Sequence, residues 1–150
     1  MTDAPRSAFV YVTYIRSTPE KIWAALTERE TQKAFWFGMH GESSYRAGSP
    51  WRLVAEDGRI MDQGEILESE PPKRLRLKWQ HLQRPELTVE GFSTCLITLE
   101  PANGGVKLTV LHQIEREGSK LIEAVSGGWP QVLSNLKSLL ETGEIAVRRG

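Results

Sequence analysis

The sequence is as informative for what it lacks as for what it holds. Cys95 is the one cysteine in 150 residues, so no internal disulfide can form and no pair of thiols can hold zinc. No sign of charge is in surplus. Nineteen Lys and Arg balance nineteen Asp and Glu, which leaves no net field to draw a polyanion or an acidic bilayer. Neither nucleic acid nor membrane insertion is expected. No apolar run approaches the roughly 18 residues that a membrane span needs. The opening MTDAPRSAFVYVTYIR has neither an uninterrupted apolar segment nor a cleavage site, so the expected location is a reduced cytoplasm. The three histidines, His40, His81 and His112, show no HxH or HxxxH spacing. No metal, cofactor or catalytic residue is expected.

What is present reads as one domain over residues 1–150, ordered from about 8 to 143, with short flexible termini. The length is ordinary for a single domain, and 39% apolar with 25% charged residues is an ordinary globular balance. AFVYVTYIR, from Ala8 to Arg16, is β-branched and aromatic without a breaker and predicts a strand. Ser17 or Thr18 then caps a helix that opens on Pro19, where the missing N–H costs nothing. ETQKAFWF predicts a second short helix ending at Gly38. Short strands follow: Trp51–Ala55, a loosely alternating stretch over 60–69, and RLRLKW, where Leu75, Leu77 and Trp79 alternate with Arg74, Arg76 and Lys78. GFSTCLITLE and GVKLTVLHQI, joined by PANGG, form a hairpin.

The last third is helical. Leu121, Ile122, Val125, Trp129, Val132, Leu133, Leu136, Leu139 and Leu140 make one apolar stripe from about Ser119 to Glu141, stopping at Gly143. The tail EIAVRRG is expected to be loose. Gly127, Gly128 and Pro130 interrupt the stripe at a cost of about 1 kcal/mol per glycine and about 3 for the proline. The stripe keeps its phase, which favours a kinked helix; a turn between two helices is the other reading. These elements predict an α+β helix-grip fold: a curved antiparallel sheet of six to seven strands around a long C-terminal helix, with two short helices after strand 1.

Five segments carry a resemblance. VTYIRSTPEKIWAALTERE, FWFG, YRAGSPW, EPPKRLRLKW and GGWPQVLSNLKSLLETGE, in that order and across nearly the whole chain, resemble the small bacterial proteins related to the activator of heat-shock protein 90 ATPase. These belong to the START-like, birch-pollen-allergen-like superfamily. The resemblance implies a seven-stranded sheet gripping the C-terminal helix, with a hydrophobic tunnel between them for a lipid-, sterol- or polyketide-like molecule. It implies two alternatives as well, an enzyme of the polyketide cyclase/dehydratase type and a stress-related co-chaperone partner of a heat-shock protein 90 homologue. The expected function is binding of a small hydrophobic or amphipathic molecule, by a monomer or weak dimer.

The residues themselves place the expected cavity between the Gly127–Pro130 interruption and the Trp36–Phe37 segment. Its expected lining is Trp36, Phe37, Trp51, Trp79, His112, Val125, Trp129 and Leu133. Trp36, Trp79 and Trp129, each beside a turn, a strand end or a helix interruption, would rim a mouth suited to flat apolar ligands. An inward Arg52 or Arg76 would anchor a carboxylate. Glu65, Glu68 and Glu70 are expected on a solvated face. Cys95, with no electropositive neighbour in sequence, is expected to be an inert buried thiol.

Overall fold

A computed structural model describes residues 6–148. The chain opens with β1 (Ser7–Ile15), α1 (Pro19–Thr27), α2 (Arg29–Phe35), β2 (His40–Glu42) and β3 (Pro50–Val54). It continues with β4 (Ile60–Glu70), β5 (Arg74–His81), α3 (Pro85–Thr88), β6 (Ser93–Ala102), β7 (Gly105–Ile114) and α4 (Lys120–Thr142). The seven strands form one antiparallel sheet in the order β1-β7-β6-β5-β4-β3-β2. The jump from β1 to β7 places the first and last strands side by side, and α4 packs back against β1. The helix-grip architecture predicted from periodicity is the one observed. α3 was not predicted.

Strand parity decides what reaches the interior. In β6, Ser93, Cys95, Ile97 and Leu99 point inward, and in β7 Val106, Leu108, Val110, His112 and Ile114 do. Both runs alternate without a bulge, as a strand with one buried face must. The predicted cap of α1 forms on Thr18, whose Oγ1 accepts from Lys21 N, and α4 is capped in the same way by Ser119, whose Oγ accepts from Ile122 N. A second cap on α4 comes from outside the helix. The Glu90 carboxylate accepts from Ser119 Oγ at 2.6 Å, Lys120 N at 2.8 Å and Leu121 N at 3.3 Å.

α4 runs unbroken through Gly127, Gly128 and Pro130, so the two-helix reading is set aside. Burying Trp129, Val132, Leu133 and Leu136 supplies about 1.5–3 kcal/mol per side chain, which outweighs the roughly 3 kcal/mol cost of an interior proline. The tail differs from the loose end expected. Asn135 Oδ1 accepts from Ala146 N at 2.9 Å and Val147 N at 2.6 Å, and its amide donates to Val147 O at 2.9 Å. A buried asparagine thus holds the chain after α4 against the helix; Arg149 and Gly150 lie outside the described residues.

Candidate functional site

Trp51 on β3, Gly64 on β4 and Trp79 on β5 are consecutive cross-strand partners. The glycine carries no side chain between them, and the two indoles meet with ring centroids 4.6 Å apart. Trp129, one turn past Val125 on α4, lies 5.7 Å from Trp79. Trp36, the residue that ends α2, closes the group at 5.6 Å from Trp129 and 6.2 Å from Trp79. Four of the five tryptophans therefore share one cluster under α4. Trp23 stands apart, packed on the rim of the core.

This cluster fills most of the space that the curved sheet leaves. The interior retains a chamber of about 20 Å³, lined by Leu26, Gln32, Tyr45, Trp51, Leu133 and their neighbours. Outside it lies a shallow mouth of about 90 Å³ between α4 and Trp36, lined by Trp36, Trp79, Val125, Gly128, Trp129 and Val132. Trp36, Trp79, Trp129 and Val132 line both spaces and form the wall between them. Among the described residues the space beneath α4 is these two small volumes rather than the open tunnel that the resemblance implies. Drug-sized ligand sites run to roughly 300–1,000 Å³, and indole rings occupy that volume here.

The expected lining residues separate by position. Trp36, Trp51, Trp79, Trp129 and Leu133 line the chamber, and Val125 lines the mouth. Phe37 packs against the core and borders neither space. His112 lies behind the wall, its ring centroid 5.3 Å from Trp79. The anchoring role considered for Arg52 and Arg76 is overturned: Arg52 is exposed, and Arg76 pairs with Glu68 at 3.3 Å on the outer face. Arg52 alternates with the buried Trp51 and Leu53 on β3, and Arg76 with the buried Leu75 and Leu77 on β5, so both fall in the outward rows.

His112 is a structural group in this arrangement. The indole Nε1 of Trp129 donates to its Nδ1 at 3.1 Å. An indole nitrogen can only donate, so Nδ1 is the acceptor and Nε2 carries the proton. Nε2 then donates to Ser93 Oγ at 2.7 Å, and Ser93 donates onward to Trp79 O at 3.1 Å. Burial pushes the imidazole down to about 3, so it stays neutral, with both nitrogens engaged. Burial also pushes the Cys95 thiol well above its ordinary value, leaving it unreactive.

Several residues of the site had no signal in the sequence pattern. Asp62 is buried and accepts from Trp79 Nε1 at 2.8 Å and pairs with His81 Nδ1 at 2.9 Å. It faces His81 directly across the β4–β5 ladder, a relation that linear spacing does not contain. Gln32 is the buried polar residue of α2. Its amide nitrogen donates to Leu26 O at 2.6 Å and to Tyr45 Oη at 2.9 Å, and its oxygen accepts from Gly41 N at 2.9 Å. Among the described residues no three His, Cys, Asp or Glu side chains are grouped to hold a metal ion, and no helix is long and apolar enough to cross a membrane.

A seven-stranded antiparallel sheet closed by one long helix, with an aromatic cluster between them, defines a helix-grip protein. The chain belongs to the family described as Activator of Hsp90 ATPase homolog 1-like protein, which matches residues 16–141. Among solved structures it is similar to protein MLL2253 from Mesorhizobium loti, with 25% identity, 93% of this chain and 100% of that one covered, and a TM-score of 0.78. The Aha1 dimer from Colwellia psychrerythraea is similar at 22% identity, with 91% and 98% covered and a TM-score of 0.72. CalU16 from Micromonospora echinospora is similar at 19% identity, with 94% and 85% covered and a TM-score of 0.72. No functionally curated protein is a significant sequence match.

Proposed function

We propose that the chain binds a small, flat, apolar or amphipathic molecule at the mouth between α4 and Trp36 and admits it to the chamber behind. The observation that carries this reading is the shared wall. Two apolar spaces share Trp36, Trp79, Trp129 and Val132 in their linings, and Trp36 is the half-buried member, at the end of a short helix. In this reading the Trp36 side chain is the one that rotates to join the spaces. Gly128 adds room, because a Cβ there would meet nothing within 4 Å.

Binding without chemistry is the reading the lining favours. Tyr45 is the sole titratable residue lining the chamber, and none lines the mouth, so no acid–base pair converges on a bound molecule. Native mass spectrometry of gently purified protein, with amide shift mapping against lipids and polyketide-like compounds, tests the proposal. A retained or titratable small molecule that perturbs Trp36, Val125 and Trp129 supports it. Failure of every compound to perturb these residues would count against it.

A further inference from the structure

Resting on the binding reading above, we infer that the ligand is an uncharged, flat ring system bearing a carbonyl-type acceptor, and that the Tyr45 hydroxyl donates to that oxygen at the inner end of the chamber.

The inference starts from donors and acceptors. Tyr45 Oη accepts from Gln32 Nε2 at 2.9 Å and is hydrogen-bonded by the Trp51 indole. Both partners give it protons, since amide and indole nitrogens have none of the lone pairs an acceptor needs. The phenol's own proton therefore remains, and among the described residues no acceptor takes it. The other donors at this end are committed. The Gln32 amide protons go to Leu26 O and Tyr45, and Gly41 N goes to Gln32 Oε1. At the inner end of the chamber a ligand meets one uncommitted donor, and an unpaired polar group there is costly to leave unmatched.

The cradle around this hydroxyl is built closely. A Cβ on Gly41 would fall 2.2 Å from Tyr45 Oη, so only glycine admits the phenol at that point. Tyr45 itself has φ of +58°, a left-handed conformation that costs a non-glycine residue on the order of 1 kcal/mol or more. Ser43 Oγ, accepting from Tyr45 N at 3.0 Å, steadies that turn. Burial raises the phenol's pKa, against smaller lowering by the Gln32 and Trp51 hydrogen bonds, so the proton is retained at neutral pH. No lysine, arginine, aspartate or glutamate lines the chamber or the mouth. A carboxylate or ammonium group would lose its hydration there without a counter-ion, which excludes fatty acids and amines from the inner end.

The test uses 1-indanone and indane, two probes of nearly the same shape that differ by one carbonyl. Affinities are read from tryptophan fluorescence in the wild type and in Tyr45→Phe. The expected result is a preference of about tenfold for the ketone in the wild type, collapsing to near parity in Tyr45→Phe while indane affinity holds within about twofold. Equal affinity for both probes in the wild type, or a ketone preference that survives in Tyr45→Phe, overturns the inference but leaves the binding reading standing. Absence of binding by either probe overturns both. If the variant does not fold, the infrared carbonyl stretch of 1-indanone bound to the wild type decides. A stretch below its hydrocarbon-solvent position supports the donor; an unshifted stretch overturns it.

Discussion

Trp51 and Trp79 lie on strands that are not paired with each other, yet their rings are 4.6 Å apart across Gly64, which stands between them in the sheet. A Cβ on Gly64 would fall 1.6 Å from the backbone oxygen of Lys78, so no side chain fits without parting β4 from β5. Gly64→Ala is expected to cost about 3 kcal/mol or more, by overpacking against backbone that cannot yield. Urea denaturation with an unchanged m-value checks this, and a near-neutral substitution would refute the account of the aromatic row.

His112 makes stability depend on pH. Its folded pKa of about 3 lies below the ordinary 6.5, so the unfolded chain takes up the proton first. The contribution is present in full above about pH 6.5 and is lost as pH falls toward 3. Between pH 7 and pH 5 the expected loss is about 2 kcal/mol, at roughly 1.4 kcal/mol per proton and pH unit once the unfolded imidazole is charged. His112→Gln should lack this component of the slope. Parallel wild-type and variant profiles by chemical denaturation would show that another group is responsible.

Glu90 reaches from the loop after α3 to three donors at the start of α4. Burial alone would raise its pKa, but the hydrogen bonds from Ser119, Lys120 and Leu121 outweigh this and hold it below the ordinary carboxylate range. Its contribution is present above the unfolded carboxylate pKa and fades as pH falls through the lower folded one. Glu90→Gln should cost about 1 kcal/mol at pH 7, the scale of a lost helix cap. Thermal unfolding at pH 7 measures that cost, and a variant as stable as the wild type would contradict the capping role.

How much of this could be read from the sequence follows from range. His112 was legible as a strand residue of the lining and Cys95 as an inert buried thiol, and helical spacing placed Trp129, Leu133 and Val125 on one apolar stripe of α4. Both are local periodicities. The His81–Asp62 pair, the Gln32–Tyr45–Gly41 cradle and the Glu90 cap depend on which strands and loops become neighbours, which no spacing within one segment encodes. Arg52 and Arg76 were ambiguous because alternation separates two faces of a strand without saying which one meets the helix; the burial of Trp51, Leu53, Leu75 and Leu77 assigns both arginines to the outer face. The volume of the cavity was also out of reach, since it depends on the rotamers of four tryptophans.

Trp36 controls entry if the shared wall is the gate. Trp36→Ala joins mouth to chamber, so indane should associate about tenfold faster and bind more tightly, while stability falls by about 2 kcal/mol, less than for a fully buried tryptophan. Stopped-flow fluorescence gives the rate. An association rate equal to that of the wild type would place the entrance elsewhere.

The most direct measurement follows the five indole N–H signals by NMR while 1-indanone is added to the wild-type protein. Binding at the proposed site predicts saturable shifts of Trp36, Trp51, Trp79 and Trp129, which surround the mouth and chamber, with Trp23 unmoved. No saturable shift in those four, or a shift confined to Trp23, would contradict a ligand site beneath α4.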